Sequence, residues 1–135
     1  MSESRTYWAE PCNITRLDPP RLFKTDERQL VDYLLQNEFA QKDLLMSNVS
    51  EARVIEEHDN CPTIVFRIMT NQVLVAPSRS VLLEGEGTDR DGMKYKMLFL
   101  SLGDLSYEIE FFRGDLGPFL SQPEPSQLHI ETRSL

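Results

Sequence analysis

Two stretches with an apolar residue at every second position constrain this chain more than any other feature. Met93, Tyr95, Met97 and Phe99 alternate with Lys94, Lys96, Leu98 and Leu100. Leu105, Tyr107, Ile109 and Phe111 alternate with Ser106, Glu108, Glu110 and Phe112. A period of two is the mark of a half-buried strand. The two apolar faces coincide only when paired positions sum to an even number, because side chains change face at every residue. A three-residue loop of Ser101-Leu102-Gly103 makes that sum 204 and puts Gly103 where a left-handed residue is needed. This register sets Lys96 opposite Glu108 and Lys94 opposite Glu110, with Met97 on Tyr107, Tyr95 on Ile109 and Phe99 on Leu105. Val81–Glu86 supplies the preceding strand, so the region from Val81 to Phe112 reads strand, turn, strand, turn, strand.

The turn Gly87-Thr88-Asp89-Arg90-Asp91-Gly92 has some of the oxygens of a calcium loop. An EF-hand template would place its first ligand at Gly87 and its bidentate glutamate at Leu98, so two essential ligands are missing. A plain Asp-Gly turn is the better reading.

Upstream, Pro11, Pro19 and Pro20 interrupt residues 1–24, which read as an irregular arm docked through Tyr7 and Trp8. Thr25 is placed to cap a helix opened by Asp26 and Glu27, with Leu30, Val31, Leu34 and Leu35 as its buried stripe. A short helix over Gln41–Met46 would turn Leu44 and Leu45 inward, leaving Asp32, Gln36 and Lys42 toward solvent. Arg53–Glu56, Thr63–Met69 and Gln72–Ala76 read as strands, with His58–Pro62 as a turn. Residues 121–135 read as a Pro-rich tail, in which Leu128, Ile130 and a final short strand could still pin the end to the sheet. The expectation is a single α+β domain over residues 25–120: one or two N-terminal helices on an antiparallel meander of five to six strands.

The net charge of −8 comes from 14 basic and 22 acidic residues, and its distribution is uneven. Residues 26–62 carry nine acids against three bases, whereas residues 1–25 are net +1. Such a balance argues against nucleic acid, which needs a basic face to displace counterions. It suits a basic protein partner met by electrostatic steering; the plainer alternative is that it serves solubility. Glu38, Asp43, Glu51, Glu56, Glu57 and Asp59 are the candidate partner-binding residues. The longest apolar runs, Val73–Ala76 and Met97–Leu100, are too short to span a membrane. No apolar run follows Met1-Ser2-Glu3-Ser4-Arg5, which predicts a cytoplasmic protein without a signal peptide, and hence Cys12 and Cys61 as free thiols, a disulfide between them being the alternative without support.

Catalytic chemistry is poorly represented. His58, Asp59 and Cys61 invite a metal or Cys–His nucleophile reading, yet a metal needs three or four ligands and a nucleophilic pair needs an orienting third group. A solvated turn histidine is the simpler account. Glu84 and Glu86 share a strand face, and an exposed edge explains them better than acid–base work. No catalytic, cofactor or metal site is expected.

Arg21-Leu22, Asp26-Glu27, Leu30-Val31 and Leu34-Leu35 resemble the opening of a small uncharacterised bacterial domain family. So do the later Val81, Glu84-Gly85-Glu86, Asp89-x-Asp91-Gly92-Met93, Gly103-x-Leu105, Glu108-x-Glu110, Arg113, Asp115 and Pro118. The resemblance covers roughly residues 21–120 and rests on turn and core positions, so it marks a fold and names no reaction. Families of this kind include many toxin-neutralising immunity proteins. The resemblance therefore implies an immunity role toward a toxin domain such as a nuclease. Competing readings are a secretion chaperone, and a small-ligand binder or enzyme.

Overall fold

The computed structural model describes residues 13–59, 61–70 and 78–132. Among these described residues, seven strands form one sheet: β1 (Ile14–Arg21), β2 (Ala52–His58), β3 (Ile64–Ile68), β4 (Ser80–Thr88), β5 (Lys94–Gly103), β6 (Ser106–Arg113) and β7 (His129–Thr132). Two helices, α1 (Thr25–Leu34) and α2 (Lys42–Asn48), lie between β1 and β2. The α+β class with an antiparallel sheet is as expected, but the sheet is larger and is not a simple meander. Its order is β1-β2-β3-β6-β5-β4-β7, with every neighbouring pair antiparallel. The long connection from β3 to β4 lets β6 return beside β3, which is a Greek-key arrangement.

Both ends of the described chain join the sheet. The expected irregular arm instead supplies β1, and the expected tail supplies β7 along β4. Glu84 and Glu86 are therefore on an interior strand, not on an edge. Pro19 and Pro20 hide β1 from a pattern search; an edge strand tolerates them because it needs only one hydrogen-bonded side. Its ladder with β2 is interrupted between Arg16 and Arg21. Tyr7, Trp8, Cys12 and the Gln72–Ala76 segment lie outside the described residues.

The β5–β6 hairpin corrects the expected register. Tyr95 pairs with Arg113, Met97 with Phe111 and Ser101 with Tyr107, a sum of 208 in place of 204. Lys96 stands opposite Phe112, and Glu108 opposite Leu100, so the expected charge pairs do not form. Both sums are even, and the same residues still face inward: Tyr95, Met97, Phe99, Tyr107, Ile109 and Phe111 are all buried. The turn is the two-residue Asp104-Leu105, with φ of 52° and 60°, the pair of left-handed residues a type I′ turn requires. Gly103 does adopt positive φ, but as a bulge at the end of β5. Two exposed charge pairs would contribute only ~0.2–1 kcal/mol each. The observed register instead sets Phe111 against Met97 and carries Arg113 alongside Tyr95.

The helices cover one face of the sheet. Leu30, Val31, Leu34 and Leu35 form the predicted buried stripe of α1, joined by Phe39 and by Leu45 from α2. Lys42, expected toward solvent, is half-buried and bound to Glu38 at 3.0 Å. On the sheet, Phe66 stacks on Tyr107 with ring centroids 5.5 Å apart, and Phe39 meets Phe99 edge-on at the same distance. The start of α1 also differs from expectation. Thr25 is its first helical residue, and the Lys24 N–H donates to Glu27 Oε1 at 2.8 Å, so a reaching-back carboxylate does the capping.

Gly87 shows how tightly the inner face is packed. A Cβ there would fall onto the Tyr95 ring, whereas one at Gly114 would meet nothing nearer than 3.5 Å. Gly87→Ala should therefore cost ~1–3 kcal/mol by overpacking. Gly114→Ala should stay within ~0.5 kcal/mol of the parent. Urea melts of the two variants test this; equal midpoints would refute it.

Candidate functional site

The last residue of β1, the first turn of α1 and the end of β2 meet at one cluster. Arg21 donates from Nη1 and Nη2 to the two oxygens of Glu27, at 2.8 and 2.9 Å, in a bidentate fork. Its Nε and Nη2 also reach Glu57 Oε1 at 3.1 and 2.9 Å. Burial works against the Glu27 charge, but the Arg21 fork and the Lys24 amide outweigh it and hold the carboxyl below its ordinary pKa. The Arg21 guanidinium is driven the other way, chiefly by Glu27. The three side chains tie strand, helix and strand together.

A cleft of about 330 Å³ opens beside this cluster, lined by Arg21, Lys24, Asp26, Glu27, Glu57 and Asp59 on its charged side, with His58, Cys61 and Gln122 among the rest. A second cleft of about 340 Å³ continues from it through Cys61, Pro62 and Gln122 to Phe119, Leu120 and Ser121. Together they make one groove with a charged end and a more apolar end. Its floor is fixed by Thr63, whose hydroxyl accepts from the Phe111 amide at 2.9 Å and receives the Cys61 thiol at 3.2 Å.

His58 is the half-buried last residue of β2, not a solvated turn residue. Burial alone would lower its pKa. A side-chain hydrogen bond with Cys61 and the charges of Glu108 and Glu56 raise it instead. Glu108 moves upward too, because burial and the neighbouring Glu110 both disfavour its charge.

The six predicted carboxylates do not share one patch. Glu57 and Asp59 line the groove, and Glu57 is bound to Arg21. Glu56 pairs with Arg16 at 3.2 Å on the outer part of β2. Glu51 stands before the start of β2, about 20 Å of extended chain from its far end. Asp43 is exposed on α2, and Glu38 pairs with Lys42. Asp43, Glu51 and Asp59 join no ion pair among the described residues.

A second cluster lies across the sheet and was missed by sequence reasoning. Arg113, at the end of β6, is only 4% exposed. Its guanidinium bonds to Asp89 at 2.6 Å, to Asp91 at 3.2 and 2.8 Å, and to Asp115 at 3.0 and 2.9 Å. All five N–H groups are thereby used. Asp89 further accepts from the Arg90 and Leu120 amides and from the Ser121 hydroxyl. The Asp-Gly turn forms as read, with the Gly92 amide donating to the Asp89 carbonyl and Gly92 at positive φ, and its aspartates are arginine ligands as well. The sequence held two signals, the Asp-x-Asp spacing before a glycine and the presence of Arg113 and Asp115 beside it in the resemblance, and neither named an ion cluster.

Among the described residues, no group of three or more His, Cys, Asp or Glu is placed to hold a metal ion. Nor is any described helix long and apolar enough to cross a membrane. Comparison with family models, curated proteins and solved structures returns no match for this chain. Function must therefore be argued from the residues themselves.

The Arg113 cluster makes acid stability a test. Burial opposes the Asp89 charge, but the Leu120 and Arg90 amides, with Arg113 and Ser121, hold its carboxyl at about 2 against an ordinary 3.8. Arg113, helped by the Gly117 amide, brings Asp115 to about 2 as well. A depressed carboxyl contributes stability in full above its unfolded value and loses it as pH falls toward the folded one. Stability from these groups should hold down to about pH 4 and drop between about pH 4 and 2. Asp89→Asn should lower the melting temperature at neutral pH more than Asp91→Asn does, and should flatten that acid limb. An unchanged limb in thermal melts would contradict the assignment.

Proposed function

We propose that this chain is a non-enzymatic, acidic protein-binding module that acts in the cytoplasm on a basic protein partner. The observation carrying the reading is how much acid is exposed, not a single patch. Of the nine acids in residues 26–62 only Glu27 is buried; of the other eight, Asp32, Glu38, Glu56 and Glu57 are held in ion pairs, while Asp26, Asp43, Glu51 and Asp59 join none among the described residues. Negative charge displayed in this way raises encounter rates with a positive surface and gives a complex that weakens with salt. The narrower reading is an immunity protein that neutralises a cognate bacterial toxin, such as a nuclease whose own substrate is a polyanion. It draws on the family resemblance of residues 21–120 together with the acidity. A small-ligand site is the second reading, favoured by the groove that gathers His58, Cys61 and Gln122.

Capture from the native host, read by mass spectrometry, should return a protein of high isoelectric point. Asp43, Glu51 and Asp59 changed together to Lys should slow association by roughly tenfold at low salt and flatten its salt dependence. An acidic partner, or association indifferent to both salt and charge reversal, would refute the reading.

A further inference from the structure

We infer that the groove takes an extended peptide segment of the partner that presents a lysine or arginine and, two residues away, a bulky aliphatic side chain. This rests on the protein-binding reading and adds to it which part of the surface does the recognising and what it recognises. Two residues is the spacing that puts both side chains on one side of an extended chain. The charged end has four acids, Asp26, Glu27, Glu57 and Asp59, against two bases. Arg21 and the carboxylates of Glu27 and Glu57 are committed to one another, which leaves Asp26 and Asp59 against Lys24. That end stays negative, and exposed Asp26 and Asp59 form its rim. At the other end the rings of Pro62 and Phe119 and the 43%-exposed Leu120 offer apolar contact.

Both ends are held in advance. The Arg21 cluster fixes Glu57 and the start of α1. On the far wall, the Leu120 amide and Ser121 hydroxyl are bonded to buried Asp89 at 2.9 Å each. Phe119 packs on Tyr95, with centroids 5.3 Å apart, and on Phe111 at 6.1 Å. A groove whose walls are already ordered loses little conformational freedom on binding, so its shape and charge can discriminate. A cation flanked by an aliphatic group satisfies both ends; either alone satisfies one.

The test is an amide chemical-shift titration with the blocked peptide Gly-Arg-Ser-Leu-Gly, against two controls, Gly-Glu-Ser-Leu-Gly and Gly-Arg-Ser-Ser-Gly. The first peptide should move the amides of Asp59, Cys61, Leu120 and Gln122, and each control should bind at least about fivefold more weakly. Asp59→Asn and Leu120→Ser, both at exposed positions, should each weaken the first peptide by at least about fivefold. Equal binding of the three peptides, or shifts spread away from the groove, would overturn the inference. If the peptides fail while charge reversal still slows capture of the whole partner, the groove assignment falls and the binding-module reading stands. If neither responds, both fall.

Discussion

The fold depends on one desolvated guanidinium. Arg113 leaves the end of β6 with all its donors directed at Asp89, Asp91 and Asp115, and Asp89 is itself almost wholly buried. Charges taken out of water are costly unless each lone pair and proton is met. Here they are met by residues from three places: the β4–β5 turn, the end of β6 and the loop leading toward β7. The cluster is therefore less a source of net stability than a condition on geometry. It holds the β4–β5 turn against the 115–121 loop, and that placement builds one wall of the groove. Arg21 does the same on the opposite wall with Glu27 and Glu57. Across the described residues, no buried side-chain nitrogen or oxygen is left without a partner, as a stable interior requires.

The inner face of the sheet was legible in the sequence because burial imposes a period. Tyr95 to Phe99 and Tyr107 to Phe111 could face inward in only one way, and the α1 stripe from Leu30 to Leu35 likewise. Register was not legible at the same level. Every even sum keeps those residues inside, so parity leaves several answers. The choice between 204 and 208 fell to a turn, Asp104-Leu105, whose second residue carries no obvious left-handed preference, and to a buried ion cluster. A pattern of hydrophobicity contains neither.

β1 and the carboxylates of the groove show a different kind of failure. The prolines of β1 suppress strand signals, yet they are tolerated because, among the described residues, only one side of the strand is paired. From the sequence Glu57 reads as a partner-binding surface charge and Glu27 as a first-turn helix acid, but the oxygens of both serve Arg21, which is remote from Glu57 in sequence. Local composition records a charge without recording its neighbour. Asp59 alone among the predicted residues keeps both an exposed carboxylate and a place in the groove.

Among the described residues, β1 is an edge strand. Pro19 and Pro20 sit side by side in β1 and remove two amide protons, in the same stretch where its ladder with β2 breaks register. An incoming strand would find no regular row of donors and acceptors to zip onto. At Pro19 and Pro20 that flank thus resists templated stacking of one copy on the next.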